Sequence, residues 1–135
     1  MPRPNTVTRK PPVYVADTEF ERLSNLANSA ATRGAAILAD ELERAIVVRA
    51  EKSPRAFVRL HSVVEFTDIL TGKTRRVQLV PPDEADIDQD RLSVLSPVGA
   101  SLLGLSTGDV IGMSPADGRA HVLEVRSVER AHVTA

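Results

Sequence analysis

The hydrophobic residues of this chain change period once, at Ser53-Pro54, and that change limits the folds open to it. Before it, Phe20, Leu23, Leu26 (or Ala27) and Ala30 recur at the spacing of one helix face. Leu38, Leu42 and Ala45 continue the pattern at heptad-like intervals. Beyond it, β-branched and aromatic residues come in short runs broken by Gly, Pro and Asp, as strands and turns do. Helices gathered at one end and strands at the other give an α+β fold, a helical hairpin followed by a compact antiparallel sheet.

Local signals set the expected boundaries. Residues 1–16 carry four prolines and read as an extended tail. The short antiparallel helical hairpin is expected over 17–52. Thr18-Glu19-Phe20-Glu21 fits a capping box, with Thr18 as N-cap and Glu21 reaching back to its N–H. Gly34 is read as a left-handed turn between the arms. The second arm is expected from Ala35 to Arg49, with Asp40 and Arg44 paired on an exposed flank. Arms of about 15 residues would be ~22 Å long. The sheet domain is expected over 55–131. Its strands are Phe57–Leu60, Val63–Ile69, Arg75–Val80, Leu92–Leu95, Val110–Met113 and Ala120–Val128. Turns fall at Thr71-Gly72-Lys73, Thr107-Gly108-Asp109 and Pro115-Ala116-Asp117-Gly118. Ser96-Pro97 opens one short helix, with serine as N-cap and proline at N1, and Gly104 stops it.

Two fragments imitate a nucleotide machine, and both fail on physical grounds. Gly72-Lys73-Thr74 could close a phosphate-binding loop, but the first glycine of that motif would be Thr67, and Asp68, Ile69 and Leu70 would crowd the cradle. Asp83-Glu84-Ala85-Asp86 spells a helicase box, yet Pro81-Pro82 precede it where a buried strand should end. Only eight residues separate Thr74 from Asp83, room for a strand and not for a crossover helix. Asp86-Ile87-Asp88-Gln89-Asp90 opens like a calcium loop, but Arg91 replaces the turn glycine and Pro97 the closing bidentate glutamate. His61, His121 and His132 have no metal-ligand spacing. No catalytic residue, metal or cofactor is expected.

Composition narrows the classes further. The 135 residues suit one domain with a small appendage, and about two thirds of the unfolded surface can be buried. The aromatic side chains are only Tyr14, Phe20, Phe57 and Phe66, too few to line the proline pocket of a prolyl isomerase. There is no cysteine, no apolar run of membrane-span length and no signal-peptide core, so a soluble cytoplasmic protein is expected. A net charge of −1, from 17 basic and 18 acidic residues, argues against broad or sequence-specific nucleic-acid binding. Arg3, Arg9, Lys10, Lys73, Arg75 and Arg76 read as a solvated face. The sequence sets no oligomeric state.

The stretch from Val77 to Ile111 carries a spaced pattern: Glu84-Ala85-Asp86, Leu92-Ser93-Val94, Ser96-Pro97-Val98-Gly99 and Leu102-Leu103-Gly104. It resembles the C-terminal domain of the bacterial Gre transcript-cleavage factors over about Leu60 to Glu129. The whole chain is similar to the Rnk-type relatives of those factors, the regulators of nucleoside diphosphate kinase, whose second helix resembles Ala39-Asp40-Glu41-Leu42-Glu43-Arg44-Ala45. The resemblance implies an FKBP-like α+β domain that docks on RNA polymerase at the rim of its secondary channel. By position, Ser96, Pro97, Val98 and Gly99 would form the docking loop, with Glu84 and Asp86 from the E-A-D loop as further partner contacts. Leu95 stands where Gre factors often carry an acid. Substitution of Pro97 and Gly99 is expected to weaken docking and leave the fold intact.

Gre factors stimulate RNA cleavage with acidic residues at the tip of a long coiled coil, where they help hold Mg²⁺. Here the tip, Asn28 to Ala35, has no carboxylate, and Asp40 and Glu41 begin roughly 8 Å further down the second arm. The resemblance therefore implies a non-enzymatic transcription regulator that binds polymerase without stimulating cleavage. The other reading is an interaction module acting outside transcription, such as direct regulation of a nucleoside diphosphate kinase.

Overall fold

The computed structural model describes residues 11–49, 56–113 and 120–130. The N-terminal part runs β1 (Tyr14–Ala16), α1 (Phe20–Asn28), α2 (Arg33–Glu43) and β2 (Ile46–Val48). After it come β3 (Val63–Asp68), β4 (Lys73–Val80), β5 (Arg91–Ser93), α3 (Pro97–Leu102), β6 (Val110–Met113) and β7 (His121–Glu129). Helices precede a sheet domain, as the change of period requires.

Five strands form the main sheet in the order β5-β4-β3-β7-β6. Val64 pairs with Val77 on one side and Val128 on the other, which fixes the inward set. Val64 and Phe66 are buried while Glu65 and Thr67, which alternate with them, are half exposed, the alternation of a sheet with one covered face. That face packs on α3 and the leucines around it: Leu79, Leu102, Leu103 and Leu105 are each at most 1% exposed. Burying such a side chain contributes about 2 kcal/mol. Leu23 of α1 and Leu38 of α2 belong to the same cluster, so helices and sheet share one core.

Several expected details differ. The sheet is antiparallel except at its edge, where β5 runs parallel to β4. Three residues of the expected tail, Tyr14–Ala16, form a strand, because Ile46–Val48 lies alongside in parallel. Parallel neighbours need a long crossover, and α1 with α2 is that crossover. The second arm therefore stops at Glu43, well short of Arg49. Its last expected residues are the β-branched run Ile46-Val47-Val48, which favours an extended backbone. The arms measure nine and eleven residues, about 14 and 17 Å, and not ~22 Å.

The caps differ too. Glu19, with no side-chain cap bond, precedes α1, so the Thr18–Glu21 capping box does not form. Thr32 caps α2, its hydroxyl accepting from the Ala35 N–H at 3.1 Å. Gly34 is then inside the first turn of α2 and not a break between arms. Arg44 pairs with Glu41 at 2.7 Å, where Asp40 was the expected partner. Phe57 makes only a single bridge to Ser106, so Phe57–Leu60 is not a strand. The expected turn at Pro115–Gly118 and the Ser53-Pro54 junction lie outside the described residues. Gly72 does take positive φ, +77°, in the β3–β4 loop.

Candidate functional site

The Ser96 turn is built by three serine-directed bonds. After β5 the chain must leave the sheet edge, and the Ser96 hydroxyl holds that departure by donating to the Ser93 carbonyl at 2.7 Å. The same oxygen accepts the Gly99 N–H at 3.0 Å, capping α3 as expected. Behind it, the Leu95 N–H donates to the Ser93 hydroxyl at 3.0 Å. Pro97 at N1 costs no helical hydrogen bond, since the first amides of a helix have no partner within it. Leu95, Ser96, Pro97 and Val98 are half-buried and form a firm, partly apolar ridge.

Gly99 is different. It is buried, and a β-carbon there would lie 2.1 Å from the Ser93 carbonyl oxygen and 3.0 Å from Leu79 Cδ1. Its role is close packing of α3 on the sheet. Its substitution therefore costs the fold stability, which the expectation of an undisturbed fold did not include.

Glu84 and Asp86 lie on the other side of β5. Residues 82–90 leave the end of β4 in two short 3₁₀ turns, Pro82–Glu84 and Ile87–Gln89, and all nine residues are exposed. Asp86 is anchored by its backbone, donating to the Arg91 carbonyl at 3.0 Å and accepting the Arg91 N–H at 2.9 Å. Its carboxylate accepts the Asp88 N–H at 3.1 Å. Glu84 lies 2.9 Å from His61 Nε2. Asp86 thus fixes the start of β5, and the Ser96–Gly99 turn follows its end. The two sets flank one short strand and do not converge on a common pocket.

Sequence reasoning missed two groups. Gly34 packs on the ridge from behind: a β-carbon there would be 1.7 Å from the Leu95 carbonyl oxygen. A glycine in a run of alanines was the available signal, since it costs about 1 kcal/mol in a helix and needs a reason. Glu41, 2% exposed, holds Arg44 Nη2 at 2.7 Å, and Arg44 Nη1 donates to the Pro11 carbonyl at 2.7 Å. That pair ties the base of the hairpin to the lead-in of β1.

Elsewhere, His121 Nδ1 lies 2.7 Å from Asp68 Oδ2 beside the β3–β4 loop, and this hydrogen bond holds the Asp68 carboxyl below its ordinary range. Among the described residues, no group of three His, Asp or Glu is placed to hold a metal ion. No described helix is long and apolar enough to cross a membrane. Phe57 and Phe66 are buried, and Tyr14 packs against Phe57 with ring centres 6.0 Å apart, so the aromatic side chains serve the core.

Comparison with known proteins divides the chain at β2. Residues 11–48 match the Rnk N-terminus, and residues 43–130 match the C-terminal domain of the transcription elongation factors GreA and GreB. The regulator of nucleoside diphosphate kinase of Escherichia coli (strain K12) is 36% identical over 123 residues, spanning 89% of this chain and 90% of that one. The transcription inhibitor protein Gfh1 of Thermus aquaticus is 37% identical over 84 residues, 61% of this chain and 52% of its own. A solved GreA/GreB transcription elongation factor from Nitrosomonas europaea superposes with a TM-score of 0.70 at 32% identity, covering 89% of this chain and 99% of that one.

Proposed function

From the premise that this chain belongs to the Rnk-type branch of the GreA/GreB transcription elongation factor family, we propose that it is a non-enzymatic regulator that docks on RNA polymerase near the secondary channel. The observation that carries the reading is the Ser96–Gly99 turn: it falls inside the matched GreA/GreB region and presents Pro97 and Val98, half-buried, on a capped and hydrogen-bonded ridge. A preformed ridge loses little conformational entropy on binding, which favours recognition by a rigid protein surface. Leu95 contributes apolar area where an acid would have offered a charge. Glu84 and Asp86 add negative charge across β5 from the ridge, suited to steering toward a basic rim.

The hairpin supports occupancy without cleavage. Its tip carries no carboxylate, and Glu41 is buried and paired with Arg44. Mg²⁺ requires oxygen ligands, usually one or two carboxylates, and this tip has none to give.

The test is association with core RNA polymerase in competition with a Gre factor. Val98→Glu and Pro97→Ser alter half-exposed side chains and leave Gly99 in place. We expect wild-type displacement of the Gre factor and weakened displacement by the folded double variant. No association at micromolar concentration would refute the docking role. The name of the Escherichia coli relative favours a second reading, direct contact with a nucleoside diphosphate kinase, which binding to purified kinase without polymerase would establish.

A further inference from the structure

The hairpin's second helix does not stand free of the Ser96 ridge; it is seated directly on it. At Gly34 the missing side chain lets α2 approach the Leu95–Ser96 peptide so closely that a β-carbon would fall 1.7 Å from the Leu95 oxygen, 2.6 Å from its carbonyl carbon and 3.0 Å from the Ser96 carbonyl carbon. All three neighbours are backbone, so none can swing aside as a side-chain end would. Contacts of this kind transmit displacement, because packed interiors deform little.

The far end of the same segment is seized as well. The Gly104 carbonyl accepts the Tyr14 N–H at 3.0 Å, and a β-carbon at Gly104 would meet Val13 Cγ1 at 2.3 Å. Segment 95–104 is thus bracketed by the N-terminal unit, α2 at its start and β1 at its end. That unit is itself closed at its base, where Ile46 N–H donates to the Val13 carbonyl and Asp17 N–H to the Val48 carbonyl, both at 2.8 Å. The hairpin cannot tilt without moving α2 against the ridge.

We propose that Gly34 is a positioning residue for the docking ridge: through it, the hairpin sets the placement of the Ser96–Gly99 turn, and the two act on the partner as one rigid element. The inference rests on the docking reading for its functional half. Its structural half can be measured in the free protein.

The experiment uses the full chain as wild type, Gly34→Ala, Thr32→Ala and the control Asn25→Ala, an exposed change on α1. Thr32→Ala loosens the start of α2 by removing its cap and adds no atom to the contact, so it decides the matter if Gly34→Ala does not fold. Amide hydrogen exchange is followed at Gly99, whose N–H is held by Ser96, and at Phe66 and Val125 in the sheet. We expect exchange at Gly99 to quicken at least tenfold in both hairpin variants, with Phe66 and Val125 unchanged and the control like wild type. A merely structural defect would quicken ridge and sheet amides together, and that outcome overturns the proposal, as does an unchanged Gly99. In polymerase competition, the loosened variants should bind at least tenfold more weakly; a loosened ridge that binds like wild type also overturns it. If the wild type itself fails to bind polymerase, the docking role falls and the exchange result alone decides whether the hairpin positions the ridge.

Discussion

Gly99→Ala tests how tightly α3 is set on the sheet. The added β-carbon would lie 2.1 Å from the Ser93 oxygen, and ordinary contact begins near 3.4 Å, so one partner must retreat by more than an ångström. The Ser93 oxygen is not free to do so, because it accepts both the Ser96 hydroxyl at 2.7 Å and the Ser96 N–H at 3.0 Å. Leu79 is fully buried on the other flank, where a close-packed interior leaves it little room to yield. Overpacking of this kind costs about 1–3 kcal/mol. Loss of the Ser96 cap adds about 1 kcal/mol. Alanine returns up to about 1 kcal/mol through its better helix propensity. The net is a destabilisation of about 1–3 kcal/mol. Urea unfolding followed by circular dichroism should therefore show a midpoint lower by about 1–2 M at an unchanged slope. Gly108→Ala provides the contrast. Its β-carbon would meet nothing within 4 Å, but its φ of +94° disfavours any side chain. Strain alone should cost roughly 1 kcal/mol there. A Gly99→Ala protein within about 0.5 kcal/mol of wild type, inside the range of neutral surface changes, would show that the close approach of α3 to Ser93 is not real.

Three further outcomes follow from the same geometry. Arg44→Ala takes a 2.7 Å partner from the buried Glu41 carboxylate and should cost about 2 kcal/mol in urea unfolding, below the range for fully buried pairs because Arg44 is 31% exposed; no change would mean the pair carries no load. Asp68, held below the ordinary value of about 3.9, contributes stability that is present above that pH and lost as pH falls through its folded value; in His121→Ala its carboxyl resonance should titrate at higher pH, and an unmoved midpoint would assign the shift to another cause. Incubation with backtracked elongation complexes at neutral pH should release no short 3′ RNA above the intrinsic rate, and release would show that carboxylates outside the hairpin tip reach the active centre.

What was legible in the sequence is what one residue decides locally. Ser96-Pro97 announces a helix start because a hydroxyl at N-cap and a ring at N1 each satisfy the first turn without help from the rest of the chain. Gly72 announces a loop for the same reason: only its own φ is at stake. The strands of the main sheet were legible from their β-branched and aromatic runs, and in Val64-Glu65-Phe66-Thr67 from alternation as well, since burial of one face is enough to impose a period of two. Thr18 fits a capping box equally well by local rules, but α1 begins at Phe20 with Glu19 at its N-cap, so Thr18 stands one residue too early to cap it.

The illegible features are those in which two distant segments decide together. Tyr14–Ala16 and Ile46–Val48 are each three residues long and have no strand neighbour nearby in sequence, so neither predicts the other. Gly34 carries two meanings that one sequence cannot separate. A glycine beside Arg33 is a good helix end if the chain must turn there, and a good mid-helix residue if another backbone must come close. The second meaning depends on where Leu95 lies, and that depends on β5 pairing with β4. The Ser96–Gly99 ridge is subject to the same dependence. Its residues can be recognised one at a time by their spacing, but their placement depends on α2, which adjoins the ridge only after the whole chain has folded. A variant hairpin of unchanged composition but shifted register would keep every motif letter from Ser96 to Gly104 and still present the ridge in the wrong place.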